Sequence, residues 1–120
     1  MTNINEIIKI EEMLLKIDNS CKFNLTLYQN IRLSDYLEKI GKMTNIYFEL
    51  QNDYYKLNGE EMFKEYHNKL VSEELFIDIE PFKMFIDELS ITLYDNELFK
   101  EIYLLRFWWF YCKFSQIKDN

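Results

Sequence analysis

The sequence predicts an all-α fold, a compact bundle of about five helices forming a single domain over residues 1–120. Breakers are scarce: glycine occurs only at positions 41 and 59 and proline only at 81. Apolar residues recur at three- and four-residue spacing along most of the chain, the period of a helix with one buried face. Apolar residues make up 48 % of a domain-sized chain, enough material for a core. Two short stretches break the helical period and alternate apolar with polar residues. They leave an α+β fold, with a strand pair or hairpin from 23–28 and 75–80, as the alternative.

The first helix is expected over about 3–18, where Ile4, Ile7, Ile8, Leu14, Leu15 and Ile17 keep helical spacing. In "DNSCKFNLTLYQN" the residues Phe23, Leu25 and Leu27 alternate with polar ones, as in a short strand or an extended connection. The second helix is expected to start after Ser34 as N-cap and to carry Leu37, Ile40, Tyr47, Leu50, Tyr54 and Leu57 as its apolar stripe. Asn58-Gly59 supplies its stop, because glycine accepts the backbone conformation that ends a helix. A third helix covers about 60–75 through Met62, Phe63, Tyr66 and Leu70. Pro81 suits the first turn of a fourth, about 81–94. Asp95-Asn96 then interrupts the pattern before a fifth, about 97–116.

That last segment contains "IYLLRFWWFYCKF", seven aromatic residues in thirteen positions. On a helical wheel Leu98, Ile102, Leu105, Trp109 and Cys112 share one face, and Tyr103, Phe107, Phe110 and Phe114 the opposite one. A helix apolar all round is normally a central one. The other possibility is a helix whose Trp108/Tyr111 side is covered by a partner or by a second copy of the chain. A membrane span is not expected, since the apolar run is about eleven residues where a bilayer needs roughly twenty, and Arg106 interrupts it.

Composition also reports on origin. Alanine is absent, valine occurs once, lysine outnumbers arginine twelve to two, and asparagine occurs eleven times. This bias fits an AT-rich genome, such as that of a low-GC bacterium, its phage or a large virus. Cys21 and Cys112 lie far apart without a CxxC or Cys/His cluster and read as free buried thiols. The N-terminus has charges within its apolar periodicity and no signal-like apolar run, so a cytoplasmic protein is expected.

The net charge of −7 is unevenly spread. Residues 1–48 hold six acids and six bases, residues 49–101 hold fourteen acids and five bases, and the tail from 102 onward carries +2. Acid-to-base pairs four residues apart, such as Glu12/Lys16, Asp35/Lys39, Glu38/Lys42, Glu60/Lys64 and Glu65/Lys69, would absorb part of this charge. Like-charged pairs at the same spacing, Glu49/Asp53, Glu61/Glu65, Glu74/Asp78 and Glu97/Glu101, would each cost about 0.2–0.5 kcal/mol in a helix. Such a surface repels nucleic acid and attracts a basic protein. The residues expected to form it are Glu49, Asp53, Glu60, Glu61, Glu65, Glu73, Glu74 and Asp78. Tyr54, Tyr55, Trp108 and Tyr111 are the expected aromatic anchors, being of types enriched at binding hot spots.

Recognisable chemistry is sparse. His67 is the single histidine, and its neighbours at helical spacing, Phe63, Lys64, Leu70 and Val71, offer no second metal ligand. No serine or cysteine has a local nucleophile signature, and two glycines do not make a phosphate-cradling loop. No catalytic residue, cofactor or metal is expected. The profile is similar in kind to phage anti-defence proteins, including anti-CRISPR inhibitors, which are commonly compact, acidic and without motifs. That resemblance implies an inhibitor masking a basic surface of a nucleic-acid-handling partner, such as a nuclease or CRISPR effector. A toxin-immunity protein has the same physics. A structural or regulatory homodimer joined through the aromatic C-terminal helix is the alternative of a different class.

Overall fold

A computed structural model describes residues 2–93. Within them the chain forms four α-helices: α1 (Ile4–Cys21), α2 (Leu27–Asn58), α3 (Glu60–Ser72) and α4 (Glu80–Thr92). A single 3-10 turn, Lys22–Asn24, joins α1 to α2. No strand occurs among the described residues, so the all-α expectation holds there. The expected fifth helix lies outside them.

α1 begins where Asn3 accepts a hydrogen bond from the Glu6 backbone N–H at 3.1 Å, satisfying one of the donors that a helix start leaves open. Its buried residues are Ile4, Ile7, Ile10, Met13, Leu14, Ile17 and Cys21, one face repeated every three or four positions. Burial of each large side chain contributes roughly 1.5–3 kcal/mol, which makes this helix the hydrophobic centre of the described fold.

α2 is the spine. With 32 residues it is about 48 Å long. It starts earlier than Ser34 because Thr26 and Gln29 form a capping box. The Gln29 backbone N–H donates to Thr26 Oγ1 at 3.1 Å, and the Thr26 N–H donates to Gln29 Oε1 at 2.9 Å. Ser34 is therefore an exposed interior helix residue. Residues 23–28 are not a strand: Leu25 is buried while Phe23 and Leu27 are exposed, so the alternation does not present one apolar face.

α1 crosses α2 where Thr44 Oγ1, itself buried, donates to Glu11 Oε2 at 2.9 Å. Gly59, at φ 84 and ψ 177, ends α2 and turns the chain into α3, as Asn58-Gly59 predicts. α3 stops at Ser72 rather than at 75, and the following residues run extended. Leu75 N–H donates to the Thr2 carbonyl at 2.7 Å, forming one isolated antiparallel bridge. The non-helical stretch 73–79 thus meets the chain start through Leu75, not 23–28.

α4 opens with Pro81 in its first turn and runs back along the first half of α2. Tyr36 packs against Phe82 and Phe85 at ring separations of 5.1 and 4.8 Å. Arg32 lies over Phe85 at 4.6 Å and pairs with Glu88 at 2.6 Å. That hydrogen bond raises the already high pKa of the guanidinium further, against a smaller opposing effect of burial. Gln29 Nε2 donates to Thr92 Oγ1 at 3.0 Å and closes the end of the pair. α3 therefore packs along the second half of α2, and α4 packs against α1 while its side chains reach the first half of α2, with 73–79 strapped between α3 and α4 across the start of α1.

Candidate functional site

The eight carboxylates expected to form an acidic surface are all exposed. Glu49 and Asp53 lie on α2, Glu60, Glu61 and Glu65 on α3, and Glu73, Glu74 and Asp78 on the strap. None belongs to an ion pair among the described residues. Of the expected i,i+4 pairs, Glu38–Lys42 closes at 3.7 Å, between two exposed ends. Glu60/Lys64 and Glu65/Lys69 do not come within ion-pair distance. The lysines of α3 thus leave its acids available to solvent.

The eight do not form one continuous patch. The contacts between α2 and α3 run through Gln51, Tyr54 and Tyr55 on one side and Phe63, Tyr66 and His67 on the other. At 100° per residue, Glu49 and Asp53 fall on the side of α2 turned away from α3. Glu61 and Glu65 fall on the side of α3 turned away from α2. Charge therefore flanks both sides of this two-helix arm, and the strap continues it toward α4. Asp78 has a local task as well: its Oδ1 accepts from the Glu80 N–H at 3.1 Å and satisfies that backbone donor where α4 begins.

The expected aromatic anchors divide. Tyr54 is half-buried and stacks on Tyr66, with ring centroids 4.1 Å apart and planes within 11°. One ring face is therefore used inside the chain. Tyr55 meets Phe63 edge-on at 5.6 Å and remains 48 % exposed. Trp108 and Tyr111 lie outside the described residues. α3 has no fully buried residue, so these ring contacts supply much of what holds it to α2.

His67 sits in the same seam. Gln51 Nε2 donates to His67 Nδ1 at 2.6 Å, and the Tyr47 hydroxyl lies 3.3 Å from the same nitrogen. Burial raises the Tyr47 pKa, partly offset by its hydrogen bond with Gln51. The histidine thus satisfies buried polar groups of α2. No group of three or more His, Cys, Asp or Glu residues suited to a metal occurs among the described residues. No helix there is long and apolar enough to cross a membrane.

One feature escaped the sequence-based expectations. An open groove of about 220 Å³ lies between α1, α2 and the strap. Ile4 and Ile7 of α1 and Met43, Ile46 and Leu50 of α2 line it, together with Leu70, Leu75 and Ile77. Glu73 is the charged member of the described lining. Ile46 and Leu50 remain 58 % and 43 % exposed. The signal was present, since Met43, Ile46 and Leu50 stand at i, i+3 and i+7 beside the core stripe of α2. It was masked because the core stripe itself includes the polar Thr44 and Gln51, which a search for apolar spacing skips. Comparisons of the chain with protein-family models, with curated proteins and with solved structures find no match.

Proposed function

We propose that this protein is a small, non-enzymatic interaction module that binds and masks a basic surface of a nucleic-acid-handling protein, as an anti-defence inhibitor does. The observation that carries this reading is the set of eight exposed carboxylates, on α2, α3 and the strap, without a lysine or arginine partner among the described residues. Like charges placed in the same helices oppose folding slightly, so they are better explained by a partner than by stability. Their field would steer a basic protein and repel nucleic acid competing for it. The two-helix arm offers carboxylates on both sides, which suits insertion into a basic cleft.

The test immobilises the full chain, captures proteins from lysate of a low-GC bacterium and identifies them by mass spectrometry. The parallel bait is Glu61→Gln/Glu65→Gln/Glu73→Gln/Glu74→Gln. The expected result is a basic nucleic-acid-handling protein held by the natural chain and not by the variant, whose activity on nucleic acid falls when the chain is added. Equal capture by both baits, or captured protein of unchanged activity, contradicts the proposal.

A further inference from the structure

We infer that the groove between α1, α2 and the strap is an anchoring pocket for an apolar side chain that a basic partner protein presents beside a lysine or arginine, an assignment that rests on the acidic-surface reading above. Its volume, about 220 Å³, lies below the roughly 300–1,000 Å³ usual for small-molecule sites. One or two side chains fit it better than a cofactor does. The walls are mostly apolar, and Ile46 and Leu50 remain partly exposed to water.

Charge selects the occupant. The strap and the first residue of α4, Glu73 to Glu80, hold four acids and no base. Glu80 is paired with Lys83 at 3.2 Å, whereas Glu73, Glu74 and Asp78 form no ion pair among the described residues. Alternation along the extended strap puts Leu75 and Ile77 inward and leaves Glu74 and Asp78 exposed. An apolar group arriving with a cation buries its body against Ile46 and Leu50 while its charge meets Glu73. The same group arriving with an anion is repelled. An apolar anchor inside a charged rim is the usual plan of a binding hot spot, and the rim supplies discrimination.

The test titrates the full, 15N-labelled chain with a synthetic amphipathic Leu/Lys helical peptide and, separately, with its Leu/Glu counterpart, following amide shifts. The Leu/Lys peptide is expected to shift Ile46, Leu50, Leu75 and Ile77 saturably, and the Leu/Glu peptide to leave them unmoved. Ile46→Gln/Leu50→Gln should weaken the Leu/Lys peptide by about tenfold or more. Both positions are partly exposed and glutamine is a good helix former, so the fold should persist. Should circular dichroism show otherwise, Glu73→Lys provides a second variant, expected to bring the two peptides to similar affinity. Shifts confined to Glu49, Asp53, Glu61 and Glu65 and indifferent to the groove variants overturn the pocket while leaving the acidic-surface reading intact. No response to the Leu/Lys peptide at low salt overturns both. Groove shifts produced by protein concentration alone would assign the groove to a second copy. Contacts from the tryptophan indoles to the groove in the free protein would assign it to this chain's own tail. Either outcome overturns the proposal.

Discussion

At the level of single residues, the two glycines of the chain do different work. Gly59 sits at φ 84 and ψ 177, a region in which other residues pay about 1–3 kcal/mol. Gly59→Ala should destabilise by that order, read from urea unfolding. Gly41 lies inside α2, where an added Cβ would meet Glu11 Oε2 at 3.6 Å, an ordinary contact. Gly41→Ala should therefore stabilise by about 0.5–1 kcal/mol through helix propensity alone. Cys21 gives a pH dependence. Burial raises its thiol above the ordinary 9.0, and burial raises Tyr47 above 10.0. Unfolding returns both to their ordinary values, so above these the unfolded chain binds fewer protons than the folded one. Stability is fully present below about pH 9 and falls as pH rises further. Urea midpoints measured between neutral and alkaline pH should show this fall, and Cys21→Ala should remove its first part. A flat profile would contradict the assignment.

Among the elements, α1 and α3 stand at opposite ends of stability. α1 buries seven side chains and α3 none completely. Amide exchange should be slowest in α1 and fastest in α3, because opening α3 exposes little buried apolar surface. Equal protection would show that the aromatic seam of Tyr54, Tyr66, Tyr55 and Phe63 holds more tightly than its area suggests. Thr26→Ala removes the capping box and should cost about 1 kcal/mol, while Ser34→Ala should change little. The sequence contained this signal: Thr-x-x-Gln at 26–29 is a capping-box pattern. The alternation of Phe23, Leu25 and Leu27 concealed it by imitating a strand, although only Leu25 is buried. The unbroken apolar period made α1 legible from spacing, while Asn58-Gly59 marked the boundary between α2 and α3 and Pro81 the start of α4 through backbone chemistry. The end of α3 was not. Residues 73–75 leave the helix to let Leu75 bond the carbonyl of Thr2, a long-range contact with no local signature.

For the whole molecule, exposure of the acids was readable in the sequence, but their distribution was not. Counting charges along 49–101 suggests one patch. The pairing of α2 with α3 through Gln51, Tyr54 and Tyr55 instead turns Glu49 and Asp53 one way and Glu61 and Glu65 the other. The groove was legible only in its α2 wall, Met43, Ile46 and Leu50, since the rest of its lining comes from α1, α3 and the strap, which only the fold brings together. A binding surface of this kind works through charge that its own lysines do not neutralise, so its strength must follow ionic strength. The most direct test is the affinity of the captured complex measured as salt rises from about 0.05 to 0.5 M, over which the screening length falls severalfold. Binding should weaken steeply through a slower association rate, and Glu61→Gln/Glu65→Gln/Glu73→Gln/Glu74→Gln should flatten the dependence. An affinity that does not change across that range would contradict it.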